Sequence, residues 1–122
     1  MRSRNWFIES WFIGPMAFVV LALAGQPALA GDLDEHDMEK GEDVYDRACA
    51  SCHAGGIAGA PETGDAEFWA ERMEEVGLET MIERSIEGFT GDAGHMPARG
   101  GQQDLSDEEV AAAVAWMVRE SR

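Results

Sequence analysis

The sequence predicts a small all-α domain of about four helices, and three observations support this class. Apolar residues recur at steps of three and four within the segments 37–52, 65–77, 78–89 and 106–118. No segment that follows the apolar N-terminal run alternates apolar and polar residues as a half-buried strand would, and no internal repeat is visible. Both cysteines lie in the first of these helical segments and are followed directly by a histidine.

The N-terminal segment has the features of a secretory signal peptide. Arg2 and Arg4 form a short basic region, and residues 11–25 form an apolar run. Ala28-Leu29-Ala30 then supplies the small-x-small pattern at which signal peptidase cleaves, so we expect cleavage after Ala30. The alternative is an uncleaved membrane anchor. The apolar run is short for a span of ~20 residues, but Glu9 is unusual in a signal peptide and keeps this alternative open.

These features divide the chain into a cleaved signal peptide at 1–30, a flexible acidic lead-in at 31–37 and one domain at 38–122. Domains of this size bury a modest fraction of their surface and are marginally stable without additional support. A large apolar cofactor would supply much of the missing core. Export would also permit a disulfide, but one between Cys49 and Cys52 would close a very small loop and leave His53 without a role.

The exported part of the chain is strongly acidic. Residues 31–122 contain 7 basic and 23 acidic side chains, a net charge of −16. Nucleic-acid binding is excluded because phosphate contacts require clusters of Lys and Arg. The acidity either steers the protein toward basic surfaces on partner proteins or forms a generally solvated acidic surface. The spread of acidic residues along the chain favours the second interpretation.

The first predicted helix runs from about Asp37 to Cys52. Its apolar face consists of residues at steps of three and four, namely Met38, Gly41, Tyr45, Ala48 and Cys52. A glycine on this face lowers helix propensity, and close approach by another helix is a physical reason for its presence. The pair Gly55-Gly56 then allows the chain to turn away.

Two further helices follow a loop rich in Gly, Ala and Pro at 54–64. Asp65 is the predicted N-cap of the second helix, which ends at Gly77. The third helix follows from Leu78, with apolar spacing that runs to Phe89, and Gly88 marks its end. The segment 90–103 has neither the helical spacing of apolar residues nor the alternation of a strand, so it is predicted to be a glycine-rich loop.

The last helix has a clear start signal. Ser106 and Glu109 form a predicted capping box, and Leu105 with Val110 forms a hydrophobic staple. The predicted buried stripe comprises Val110, Ala113, Val114, Met117 and Val118, with Trp116 on its flank.

Cys49-Ala50-Ser51-Cys52-His53 is the attachment pattern for c-type haem. Two thiols three residues apart on one helical turn can add to the two vinyl groups of a porphyrin, and the next residue supplies an imidazole to the iron. A thioredoxin-like pair would require a βαβ setting, which is absent. A zinc site requires four ligands, and the chain's two cysteines and three histidines are poorly spaced for it.

The sixth iron ligand is predicted to be Met96, because its thioether lies in an aperiodic loop between glycines and Pro97. The neighbouring His95 is the main competitor. His36 lies in the acidic lead-in, and Met16 lies in the signal peptide. The other methionines occupy helical stripes and are predicted core residues, namely Met38, Met73, Met81 and Met117.

These motifs together resemble the class I cytochromes c, and in particular the bacterial cytochrome c5 group. The resemblance covers nearly all of residues 38–122. The residues that carry it are, in order, Gly41, Tyr45, Cys49-x-x-Cys52-His53, Gly59-Ala60-Pro61, Met96-Pro97-Ala98-Arg99-Gly100-Gly101, Ser106-Asp107-Glu108-Glu109 and Trp116. Members of the c5 group often carry a second cysteine pair after the methionine loop, whereas this chain has Gly101-Gln102-Gln103-Asp104-Leu105 there.

The resemblance implies a class I cytochrome c fold, in which about four helices wrap around one covalently attached haem. Gly41, Tyr45 and Trp116 would lie where the first and last helices cross. The carbonyl of Pro61 would accept the ring N–H of His53 and fix its orientation. Arg72 and Arg99 are candidates to pair with the haem propionates, although both also suit a solvated surface.

The expected function is one-electron transfer in the periplasm, with no enzymatic activity. His53 and Met96 would fill both axial positions and leave no open site for a substrate. The expected partners are redox proteins, with basic docking surfaces if the acidity serves to steer them, and membrane contact is expected only if the N-terminal segment stays attached. Two alternatives remain: a haem enzyme or ligand sensor with a labile distal position, and a subunit or tethered donor of an oxidoreductase complex.

Overall fold

The computed structural model describes residues 33–122, which form helices and one small hairpin. The α-helices are α1 (Met38–Val44), α2 (Ala50–His53), α3 (Ala66–Glu75), α4 (Gly77–Glu87) and α5 (Asp107–Glu120). Between α1 and α2 lies a π-helical turn (Tyr45–Cys49), 3-10 turns span Ile57–Gly59 and Ala98–Gly101, and the strands are β1 (Phe89–Gly91) and β2 (Gly94–Met96). The predicted signal peptide, its cleavage after Ala30, and Met16 lie outside the described residues.

The first predicted helix is present, but it is built from three pieces. Asp37 caps α1 through a 3.1 Å hydrogen bond from the backbone N–H of Lys40 to its carboxylate. The N–H of Ala50 donates to the carbonyl of Tyr45, five residues earlier, which defines the π-helical turn. Such turns occur frequently at functional sites. Here the turn directly precedes Cys52 and His53, so it determines how the motif faces the rest of the domain.

The second and third predicted helices are confirmed as α3 and α4. The Asp65 carboxylate accepts a 3.1 Å hydrogen bond from the backbone N–H of Phe68, as expected for an N-cap. Gly77 separates the two helices with φ of +77°, a conformation that favours glycine. Both helices therefore begin within a residue or two of the positions that the sequence predicts.

The prediction of a strand-free loop at 90–103 was wrong for its first part. β1 and β2 pair antiparallel, with Phe89 opposite Met96 and Thr90 opposite His95. Strands of three residues are too short to display an alternating pattern, and the glycines in both dilute it further. The hairpin matters for the site because it fixes the position of Met96.

The capping box of α5 is confirmed in both directions. The Ser106 hydroxyl accepts the N–H of Glu109 at 3.2 Å, and the Glu109 carboxylate accepts the N–H of Ser106 at 2.9 Å. The second hydrogen bond is the main reason that the pKa of Glu109 is lowered. A charged Glu109 therefore supports the start of the helix that supplies more core residues than any other in residues 33–122.

The core centres on the crossing of α1 and α5, which form the most extensive contact between helices in the described chain. A Cβ atom at Gly41 would overlap the carbonyl oxygen of Ala112 and lie 2.9 Å from the Cβ of Trp116. The rings of Tyr45 and Trp116 pack with centroids 4.6 Å apart. The predicted placement of Gly41, Tyr45 and Trp116 at this crossing therefore matches the structure.

The described end of the predicted lead-in contacts the domain. Leu33 is only 2% exposed and belongs to the main hydrophobic cluster. The sequence predicts a flexible segment here because acidic residues surround Leu33, and a single apolar residue has no periodicity to reveal burial. Within residues 33–122, no helix has the length and apolar character needed to cross a membrane.

Gly41→Ala is expected to lower the free energy of unfolding by about 2 kcal/mol, because its methyl group would force α1 and α5 apart. Denaturant titration of the holoprotein measures this change. Gly55→Ala is the matched control, since a Cβ there meets no atom within 4 Å. Equal stability of the two variants would show that the close helix crossing is not required.

Candidate functional site

A cleft lined mostly by apolar side chains lies between α5 and the segments that carry the cysteine motif and Met96. Its lining residues come from nearly every part of the domain: Val44, Cys49, His53, Ser85, Met96, Arg99, Gly100, Leu105, Val110, Val114 and Met117. The cleft therefore brings together one motif cysteine, the motif histidine and the loop methionine.

Neither cysteine is bonded to the other. Cys49 is half-buried and Cys52 is exposed. Burial raises the pKa of the Cys49 thiol to about 11, and negative charge on Cys52 adds to this effect. The surroundings of Cys49 thus favour an uncharged sulfur. A thioether, which has no ionisable proton, satisfies this condition.

His53 is held in one orientation by the loop that follows the motif. It is 7% exposed, and its Nδ1 lies 2.8 Å from the carbonyl oxygen of Pro61. A carbonyl can only accept, so Nδ1 carries the proton and Nε2 keeps its lone pair. The hydrogen bond implied by the resemblance is therefore present, and it leaves the nitrogen that a metal requires available.

Met96 ends β2 and is half-buried where it lines the cleft. Its competitor His95 is exposed, does not line the cleft, and has its Nδ1 2.9 Å from the hydroxyl of Thr90. Successive residues of a strand point to opposite faces, which explains why only one of the two reaches the cleft.

The two candidate arginines lie in different places. Arg99 lines the cleft, and it donates to the Leu105 carbonyl at 2.8 Å and to the Asp107 carboxylate at 2.6 Å. Arg72 pairs with Glu75 at 3.0 Å on α3 and does not line the cleft. The structure therefore gives no support to Arg72 as a propionate partner and shows that Arg99 already has two partners.

The remaining histidine and methionines are distributed as follows. Met81 is buried in the core as predicted, and Met38 and Met73 pack against it. Met117 is also buried, but it lines the cleft as well, which its place in a helical stripe did not indicate. His36 does not line the cleft.

Three residues that make hydrogen bonds in or to the segment 61–64 were not predicted from the sequence, namely Thr63, Trp69 and Ser121. This segment contacts His53. No sequence signal could have identified Ser121, because its partner Gly64 lies 57 positions away. The spacing of Trp69 indicates the apolar side of α3, and it carries no information about the indole N–H.

The donor atoms suit haem iron better than a bare metal ion. In residues 33–122, no group of three or more His, Cys, Asp or Glu side chains could hold a metal ion. The cleft instead offers an imidazole nitrogen, a thioether and one thiol of the attachment motif, among apolar side chains. This set fits a porphyrin, which supplies four ligands of its own.

The helical fold, the crossing of α1 and α5, and the Cys-x-x-Cys-His motif beside an apolar cleft define a small class I c-type cytochrome. Comparison with known proteins agrees. The family model described as "Cytochrome C oxidase, cbb3-type, subunit III" matches residues 36–117, and the chain belongs to this family.

Individual relatives are cytochromes as well. The chain is 50% identical over 93 residues to cytochrome c-555 of Prosthecochloris aestuarii, covering 73% of this chain and 93% of the relative. It is 35% identical to cytochrome c5 of Azotobacter vinelandii, covering 63% of this chain and 89% of the relative.

A similar solved structure is described as "Crystal structure of electron transfer complex of nitrite reductase with cytochrome c". Its TM-score is 0.61 at 36% identity, and the match covers 71% of this chain and 99% of that chain. Together these findings show that the chain is a small monohaem electron carrier with covalently bound haem c, that it is not an enzyme, and that its partners are redox proteins.

Proposed function

We propose that the haem is bonded to Cys49 and Cys52 and that His53 and Met96 are its two axial ligands. One observation carries this proposal: His53 and Met96 line the same apolar cleft, although they are 43 positions apart in the sequence. When bound, the haem iron accepts and releases one electron. If both residues bind the iron, no coordination position remains open for a substrate, and electron transfer is the function that is left.

The protein side chains prepare this site in three ways. The Pro61 carbonyl fixes the tautomer of His53 and makes the free nitrogen more basic. The apolar lining from α5, which includes Val110 and Val114, excludes water. A thioether ligand from Met96 in a pocket of low dielectric constant favours the ferrous form and raises the reduction potential.

Replacement of Met96 tests the axial ligand. We expect Met96→Ala to lose the weak ferric charge-transfer band at ~695 nm that sulfur ligation produces, and to bind carbon monoxide when reduced at neutral pH. The wild-type protein should show the band and bind carbon monoxide poorly. Absorption spectra of both proteins provide the measurement.

Two variants serve as controls for this experiment. Met73→Ala removes a thioether outside the cleft, and His95→Ala removes the competing ligand; both should keep the band. Survival of the band in Met96→Ala, or its loss in His95→Ala, would contradict the assignment. Ready binding of carbon monoxide by the wild-type protein would favour a ligand sensor or enzyme instead.

The partner-binding surface is proposed to be a charge-poor face formed by residues 48–61 and 88–103. The first segment contains no Asp, Glu, Lys or Arg, and the second contains only Asp92 and Arg99. The other 22 acidic side chains of residues 31–122 lie outside both segments, so the acidity is less evenly spread than a first inspection of the sequence indicates.

The two segments lie against each other and form one continuous surface. A Cβ atom at Gly59 would overlap the carbonyl oxygen of Ala93, and one at Gly100 would lie 2.6 Å from the carbonyl oxygen of Ala48. Within residues 33–122, the two large exposed apolar side chains are Ile57 (58%) and Phe89 (40%), and both belong to this face. The Arg84 guanidinium from α4 lies 4.1 Å from the centre of the Phe89 ring and adds one charge at the edge of the face. Exposed Cys52 belongs to it too.

This distribution supports a partner that presents an uncharged apolar patch with lysine and arginine side chains around it. The acidic surroundings would steer such a partner over a distance, and the charge-poor face would make the dry contact through which the electron passes. The same acidity argues against nucleic acid as a partner.

Electron exchange with gold electrodes tests the charge-poor face. The probe is a monolayer of methyl-terminated alkanethiols, which offers no partner to a charge. Ile57→Glu should slow exchange about tenfold, because a charge that is desolvated without a partner costs at least ~1.4 kcal/mol. Ala70→Glu adds the same charge on α3 and should not slow exchange. Equal rates for both variants, or faster exchange by Ile57→Glu, would exclude this surface.

We also propose that the protein works in the periplasm, with residues 1–30 removed. The basic start, apolar run and Ala-x-Ala pattern support this. The alternative role as a subunit of an oxidoreductase complex is favoured by the description of the family model.

Size-exclusion chromatography and mass spectrometry of a native periplasmic extract decide between a free carrier and a subunit of a complex. A free carrier elutes at the size of one chain with the mass of residues 31–122 plus one haem, whereas co-elution with a larger complex would favour the subunit.

A further inference from the structure

The segment Pro61–Gly64, here called the proximal loop, uses a polar atom of each of its four residues in a hydrogen bond. The Pro61 carbonyl accepts from His53, and the N–H of Thr63 donates to the His53 carbonyl at 2.7 Å. The other contacts come from more distant parts of the chain. A loop without regular secondary structure is therefore held at every residue.

Three side chains from three different elements supply these distant contacts. The Tyr45 hydroxyl donates to the Thr63 hydroxyl at 2.9 Å, and the Trp69 indole N–H donates to the Glu62 carbonyl at 2.9 Å. The Ser121 hydroxyl accepts the N–H of Gly64 at 2.8 Å and donates to the Met117 carbonyl at 2.7 Å.

Ser121 stands out because of its burial and its position. It is 1% exposed, and it follows the last residue of α5. Burial of a hydroxyl costs free energy unless both its donor and its acceptor capacities are used, and here both are. The structure therefore joins the C-terminal end of α5 to the loop that holds the Pro61 carbonyl.

We infer that Ser121, Tyr45 and Trp69 are positioning residues for the imidazole of His53 and act through the proximal loop. This inference rests on the proposed function, because it requires His53 to be an iron ligand. The hydrogen bond from Nδ1 to the Pro61 carbonyl makes the ligand more basic, and a more basic ligand stabilises the ferric state. A loosened loop weakens that hydrogen bond and shifts the equilibrium toward the ferrous state.

The test uses the Ser121→Ala holoprotein. We expect the ratio of ferrous to ferric protein at a fixed applied potential to rise about threefold. This corresponds to a rise in reduction potential of ~30 mV, at 59 mV per tenfold change in the ratio. We also expect the Nδ1 proton of His53 to exchange with solvent about tenfold faster in the ferrous protein, as observed by NMR, because its hydrogen bond opens more often.

Val118→Ala is the matched control. Val118 is fully buried in α5 and does not line the cleft, and its truncation lowers stability while keeping the backbone carbonyl that accepts the N–H of Ser121. It should leave the redox ratio and the exchange rate of the His53 proton unchanged. If Ser121→Ala behaves like Val118→Ala in both measurements, Ser121 supports the fold alone and the inference fails.

Tyr45→Phe is the second variant and decides the question if Ser121→Ala yields no holoprotein. It keeps the ring that packs on Trp116 and removes only the hydroxyl that binds Thr63. The redox ratio and the proton exchange rate should change in the same direction as for Ser121→Ala, and unchanged values would overturn the inference. A wrong assignment of Met96 is recognised separately, because the wild-type protein itself would then lack the sulfur charge-transfer band. A wrong assignment of His53 is recognised in His53→Ala, which would then keep the haem spectrum of the wild-type protein.

Discussion

The hydrogen bond between His53 Nδ1 and the Pro61 carbonyl is the constraint on which the site depends. It determines which imidazole nitrogen carries the proton and so which nitrogen is available to a metal. An imidazole without this partner could rotate or change tautomer. The backbone hydrogen bond from Thr63 to His53 keeps these two groups 2.8 Å apart, together with the side-chain contacts that the rest of the fold makes to the segment 61–64.

The crossing of α1 and α5 brings these parts together. Gly41 lets the two helices approach until a side chain would no longer fit, and Tyr45 and Trp116 fill the space beside the contact. The π-helical turn after α1 sets the direction in which the cysteine motif leaves this crossing. The same packing therefore stabilises the core and orients the residues that bind the cofactor.

The charged residues of this electron carrier are unevenly distributed over the domain. The loops that frame the cleft carry few charged residues, while the helices carry most of the acidic ones. Desolvation of a neutral contact surface costs little free energy, whereas desolvation of a charged surface costs much more. Acidic groups placed away from that surface still act over distances near the Debye length, so in the proposed binding mode the steering charges and the contact surface are different parts of one small domain.

The sequence by itself determined the helix starts at Asp37, Asp65 and Ser106, the cofactor class and the candidate ligands. These features depend on residues three or four positions apart, and local spacing records them directly. Only the tertiary structure revealed the hairpin that carries Met96, the burial of Leu33 and the contact between Ser121 and Gly64. These features join residues whose proximity arises from packing, and no local pattern encodes a distance between segments that meet only in the folded chain.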